Sequence, residues 1–205
     1  MLNMSSSECK EFALALVNFI QNYPRAPKGR PHWTRGNLKA LHDFVESEYV
    51  QARFPNAVHY LDRKYDFVRV RHGEFMKFDY SAYVPGVVAS GETIVGKGFL
   101  IFAESEYNKS TTSIEPDFEK LLYVRAPCKV MICWPKHVKD ADEIVDRLSK
   151  YADDNCNQFA PGEVYVLYFS NWGSNMEEAA YYWQAPGNPS EQCVLPFRFE
   201  PILLR

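Results

Sequence analysis

Apolar positions recur at helical spacing in the first part of the chain. They then shift to alternating and continuous runs that read as strands. Over residues 8–22, Phe12, Leu16, Phe19 and Ile20 share one side of a predicted helix. Pro24, Pro27, Gly29 and Pro31 interrupt the chain, and Thr34 is placed to cap a second helix over 35–50. The stripe of that helix is Leu38, Leu41, Val45 and Tyr49, flanked by Glu46 and Glu48, and Pro55-Asn56 ends it. Residues 65–70 alternate as a strand, 75–83 form a second, and 98–107 a third. The third is apolar on both faces, which predicts an interior strand covered on both sides. A helix follows over 114–125, with Pro116, Asp117 and Glu119 suited to its first turn and Phe118, Leu121 and Leu122 to its buried face. A strand is predicted over 129–134, a helix over 139–152 and strands over 163–170 and 179–184. From Pro186 the tail is Pro-rich, with an apolar run at 194–199.

This order predicts an α/β protein with a central mixed β-sheet flanked by helices. The third strand, the helix after it and the fourth strand form a βαβ unit. A length of 205 residues fits a single domain over 1–205. It divides into an N-terminal helix and basic loop (1–34), a core (35–170) and a C-terminal strand and tail (171–205). No apolar run is long enough to cross a bilayer, so no membrane association is expected. The first residues lack a basic region followed by an apolar stretch, which points to a cytoplasmic location. The five cysteines show no metal-binding or redox spacing and read as free thiols. The five histidines are dispersed and read as surface or capping groups.

The net charge of −3 is uneven. Residues 1–100 carry 13 basic and 10 acidic side chains, whereas 101–205 carry 10 basic and 16 acidic. Arg25, Lys28, Arg30, Arg35 and Lys39 occur with no acid among them, interleaved with His32 and Trp33. A phosphate backbone attracts such a segment; a solvated basic loop is the alternative.

The candidate chemistry lies in carboxylates. By strand alternation Leu100, Phe102, Glu104 and Glu106 face one way and Phe99, Ile101 and Ala103 the other. Two carboxylates on one face repel unless a cation, a basic partner or a raised pKa offsets them. Asp79 sits in a predicted strand, where aspartate is disfavoured. If the two strands are neighbours, Asp79 lies beside Glu104, and Glu48 or Glu46 completes an oxygen set suited to Mg²⁺. The alternatives are a strand that surfaces at Glu104, and an Asp79 paired with Lys77 or a nearby arginine.

A helix, a strand bearing Asp79, a strand bearing Glu104-x-Glu106, a helix and a strand resemble the PD-(D/E)xK restriction-endonuclease-like superfamily over about residues 36–134. The resemblance implies an αβββαβ core, with Asp79 and Glu104 as metal ligands and Mg²⁺, or Mn²⁺ in its place, as cofactor. Glu106 falls where most members carry lysine, as in some type II enzymes with Glu-x-Glu, and would act as base or as a further metal ligand. Some members place the lysine on the following helix, which nominates Lys120; Lys109 on the loop is a second candidate. No proline precedes Asp79. The implied activity is Mg²⁺-dependent phosphodiester hydrolysis in nucleic acid, DNA ahead of RNA, with a homodimer or a protein partner left open. The alternatives are a catalytically inactive nuclease-fold binding module and, more weakly, a hydrolase of small phosphate esters.

Overall fold

The computed structural model describes residues 4–24, 30–61, 71–72, 78–84, 98–106, 111–135, 137–156, 159–170, 178–188 and 197–203. The helices are α1 (Ser6–Gln21), α2 (Arg30–Val45), α3 (Glu48–Arg53), α4 (Thr111–Tyr123) and α5 (Val138–Asp154). The strands are β1 (Val58–Leu61), β2 (Arg71–His72), β3 (Tyr80–Val84), β4 (Gly98–Glu106), β5 (Cys128–Cys133), β6 (Val164–Phe169), β7 (Ala179–Gln184) and β8 (Glu200–Ile202). The strands form one sheet in the order β2-β1-β3-β4-β5-β6-β7-β8. β1, β3 and β4 run antiparallel to one another in turn. β4, β5 and β6 run parallel, so α4 and α5 are crossover helices, as the βαβ reading expects. The mixed sheet flanked by helices is therefore present.

Two apolar layers cover the sheet. On one face Phe12, Leu16, Val17 and Ile20 of α1 and Leu38, Leu41 and Phe44 of α2 pack on Tyr80, Ala82, Ile101, Val130 and Val166. On the other, Phe118, Leu121 and Leu122 of α4 and Ile144 and Leu148 of α5 pack on Phe102, Met131, Leu167 and Phe169. The start of α1 is fixed by a reciprocal cap: Glu8 N–H donates to Ser5 Oγ at 3.3 Å and Ser5 N–H donates to Glu8 Oε2 at 2.8 Å.

Several expectations change. The second helix begins at Arg30, not after Thr34, because Pro31 falls in its first turn, where a missing N–H has no intrahelical partner to lose. It ends at Val45, and Tyr49 belongs to the separate short helix α3. α4 begins at Thr111, so Pro116 lies inside the helix and not in its first turn. β1 was not expected, and residues 65–70 lie outside the described residues. β8 starts just beyond the apolar run of the tail. Cys156 is disulfide-bonded, against the expectation of five free thiols, while Cys9, Cys128 and Cys133 are free and buried.

The parity of β4 also departs from simple alternation. Ala82 pairs with Ile101 but Tyr83 with Phe99, so Leu100 is an extra residue in a β-bulge. Leu100 consequently joins Ile101 and Ala103 on the α1/α2 layer, whereas Phe99 packs with Phe102 on the α4/α5 layer. Beyond the bulge the expected order returns, and Glu104 projects to the α4 side, where it meets Lys120.

Candidate functional site

β3 and β4 bring the first two carboxylates together. Tyr80 pairs with Ala103, so Asp79, one residue before β3, stands opposite Glu104 at the sheet margin. Asp79 Oδ2 accepts a hydrogen bond from the Ser105 backbone N–H at 3.0 Å, which fixes its carboxylate against β4. Glu104 is only 3 % exposed. Its pKa is pushed up from 4.5 to about 8, first by burial and next by the charge of Asp79, while Lys120 pulls the other way.

α4 supplies the cation. Lys120 Nζ donates to Glu104 Oε1 at 3.0 Å and lies 2.7 Å from Asp117 Oδ1. Asp117 and Lys120 are three apart and therefore neighbours on one helix face. Together the two carboxylates raise the pKa of Lys120 despite its partial burial, which keeps the ammonium charged. Glu106, half-buried, pairs in register with Cys133. Burial drives the Cys133 thiol upward, and the charges of Glu106 and Asp117 add to it. The result is a cluster of Asp79, Glu104, Asp117 and Lys120 near the ends of β4 and β5, with Glu106 two residues beyond Glu104 along β4.

The other nominated residues stand elsewhere. Glu48 is exposed in the first turn of α3. Glu46 Oε1 lies 2.7 Å from His59 Nε2, in the α1/α2 layer. Lys39 belongs to α2 and is ion-paired with Asp43. Arg30 and Arg35 belong to α2, and Arg25, Lys28 and Lys109 lie outside the described residues, as do the side chains of Arg30 and Arg35. From the sequence Asp117 reads as an ordinary helix-start acid, and its spacing of three to Lys120 is the signal that the two meet. Among the described residues, three or more metal-ligating side chains bring their donor atoms within 4.8 Å of one another only at His42, Glu46 and His59.

A raised carboxyl pKa has a measurable consequence. Between pH 4.5 and about 8 the folded state holds the Glu104 proton that the unfolded chain releases. Stability contributed this way is present at the acidic end of that window and is lost as the pH rises through it. Glu104→Gln is expected to remove this decline, on the order of a few kcal/mol, in denaturant unfolding followed across the window. A wild-type-like pH slope in the variant would refute the assignment.

No family model, no curated protein and no solved structure matches the chain.

Proposed function

We propose that this protein is a Mg²⁺-dependent nuclease that hydrolyses phosphodiester bonds, with DNA ahead of RNA as substrate, built on a restriction-endonuclease-like core. The observation that carries this reading is Lys120 on Glu104, with Asp79 against the same carboxylate. The pairing of β1, β3, β4 and β5 (antiparallel, antiparallel, parallel, with α4 as the crossover) supports the αβββαβ part of it.

The donor set fits a hard cation. Asp79 and Glu104 would hold Mg²⁺, which accepts one or two carboxylates and leaves positions for water and phosphate oxygens. A carboxyl group raised to about 8 by burial and by the neighbouring Asp79, against the pull of Lys120, is a place where a divalent ion would relieve the repulsion. When bound, the ion supplies charge neutralisation at the phosphate and acidifies water. Lys120, held protonated by Glu104 and Asp117, acts as a donor and not as a base. It orients the attacking water and stabilises the negative charge that develops on the phosphoryl oxygens. Asp117 aims the lysine. Glu106 provides the remaining carboxylate for general-base work or for the cation.

The test is cleavage of DNA and RNA substrates with Mg²⁺, with Mn²⁺ and with a chelator. Metal-dependent hydrolysis that disappears in Glu104→Ala is expected. Full activity in that variant overturns the site. No cleavage, together with no heat on titrating millimolar Mg²⁺, overturns the nuclease reading in favour of a non-catalytic binding module.

A further inference from the structure

A second cluster lies in the other layer of the molecule. His42, in the last turn of α2, and Glu46 four residues later fall on one helical face, and the Glu46 N–H still bonds to the His42 carbonyl at 3.0 Å. His59 of β1 sits opposite them. The two imidazole rings stack with centroids 4.5 Å apart, and His59 Nε2 lies 2.7 Å from Glu46 Oε1. One donor atom from each of the three residues lies within 4.8 Å of the others. Both histidines are buried, at 8 % and 4 % exposure.

The Nδ1 atoms are already occupied. His42 Nδ1 is 2.9 Å from Asp43 Oδ1, and Asp43 is itself held by Lys39 and Tyr23. His59 Nδ1 is 2.6 Å from Tyr80 Oη, which also lies 3.2 Å from the Leu41 carbonyl. A tyrosine has one proton. With that proton on the Leu41 carbonyl, Tyr80 Oη accepts from His59 Nδ1, and Nε2 is left bare, facing a carboxylate oxygen. Without a metal a proton fills that gap, on Nε2 as donor to Glu46 when Tyr80 donates to Nδ1; a metal ion at Nε2 would take the place of that proton. Metal-ligating histidines characteristically have the second ring nitrogen bonded to a carboxylate or another oxygen, which fixes the tautomer and aims the first nitrogen at the ion. Both rings have that arrangement here.

We propose that His42, Glu46 and His59 bind a Zn²⁺ ion, with Asp43 and Tyr80 orienting the two imidazoles and water in the fourth position. Two imidazoles and one carboxylate suit Zn²⁺ and not Mg²⁺. Bonds of about 2.0 Å place donors up to about 4 Å apart, so the donors would draw together from within 4.8 Å and the stacked rings would turn until both ring planes meet at the ion. The side chain of Glu46 is 52 % exposed and gives the ion a route in from solvent. The ion would clasp the end of α2 to β1.

The site is tested on the full chain, stripped with a chelator and titrated with Zn²⁺ by calorimetry. One ion per chain is expected. Asp43→Asn should weaken binding by about 10–100-fold; His42→Gln and His59→Gln should weaken it further. Co²⁺ in place of Zn²⁺ should give the visible bands of a four-coordinate ion, absent in His42→Gln. Glu104→Ala should leave Zn²⁺ binding unchanged, which separates this site from the proposed nuclease centre. Circular dichroism checks each variant, and Glu46→Gln, at an exposed position, tests the site if His59→Gln does not fold. No binding at micromolar Zn²⁺, or binding unaffected by both His42→Gln and Glu46→Gln, overturns the proposal.

Discussion

Lys120→Met is expected to slow phosphodiester hydrolysis by about 10²–10³-fold, the loss typical of one preorganised donor to a developing anion. The fold should persist, because Lys120 is partly exposed and the apolar part of its stem is replaced by methionine. Mg²⁺ affinity should not fall, since the variant removes a positive charge that competes for Glu104. Without the ammonium, Glu104 also loses the partner that lowers its pKa, so burial and Asp79 hold it protonated to higher pH. The rising limb of the pH–rate profile should therefore move to higher pH at low Mg²⁺ and return as Mg²⁺ is raised. Single-turnover rates across pH and Mg²⁺ concentration would show this. A wild-type rate in Lys120→Met would remove the lysine from the mechanism.

The largest effect on stability is expected at Lys129→Ala. Lys129 is fully buried on β5, between Cys128 and Val130 in an otherwise apolar run. Its Nζ donates to Glu163 Oε2 at 2.6 Å and to Tyr165 Oη at 2.7 Å, and it sits 4.5 Å from the Tyr165 ring centroid. Glu163 also accepts from the backbone N–H groups of Ala126 and Ala160, at 3.2 and 3.1 Å. Burial pushes the ammonium from 10.5 down to about 8, against the pull of Glu163, so it is still charged at neutral pH. Removing it takes away the closest cation of the buried Glu163 carboxylate and leaves it the partly exposed Arg125 at 3.8 Å, at a cost of about 3 kcal/mol. The double variant Lys129→Met, Glu163→Gln removes both charges and should recover most of that loss. Urea unfolding of the three proteins decides the matter. A loss in the double variant as large as in Lys129→Ala would show that the charge left on Glu163 is not the cause.

Much of this architecture follows from local pattern. The capped apolar stripe of α1, the strong amphipathicity of α5 and the continuous apolar runs of β5 and β6 each specify one element from a short window of sequence. The approach of Asp79 to Glu104 was inferable because both lie at the ends of strands that follow one another in the chain, and Lys120 could be named as a helical substitute for a missing strand lysine. Other features depend on partners distant in sequence. The bulge at Leu100 leaves no trace in a run of apolar residues, because either parity is acceptable when both faces are buried. Pro31 reads as a breaker until its place in the first turn is known. β1 has four residues, one of them His59, which carries no strand signal of its own. His42 and His59 looked scattered because seventeen positions separate them; their stacking exists only once α2 lies over the sheet.

Asp79 and Tyr80 are consecutive, and the chain at that point turns one side chain toward Glu104 and the next toward His59. The two candidate centres thus share a single peptide unit. A slip of β3 by one residue would put Tyr80 and Ser81, or Phe78 and Asp79, in the places that Asp79 and Tyr80 hold, so the alignment of this one strand sets the composition of both. An ion clasped by the histidines would stiffen the same linkage that holds Asp79 at its distance from Glu104.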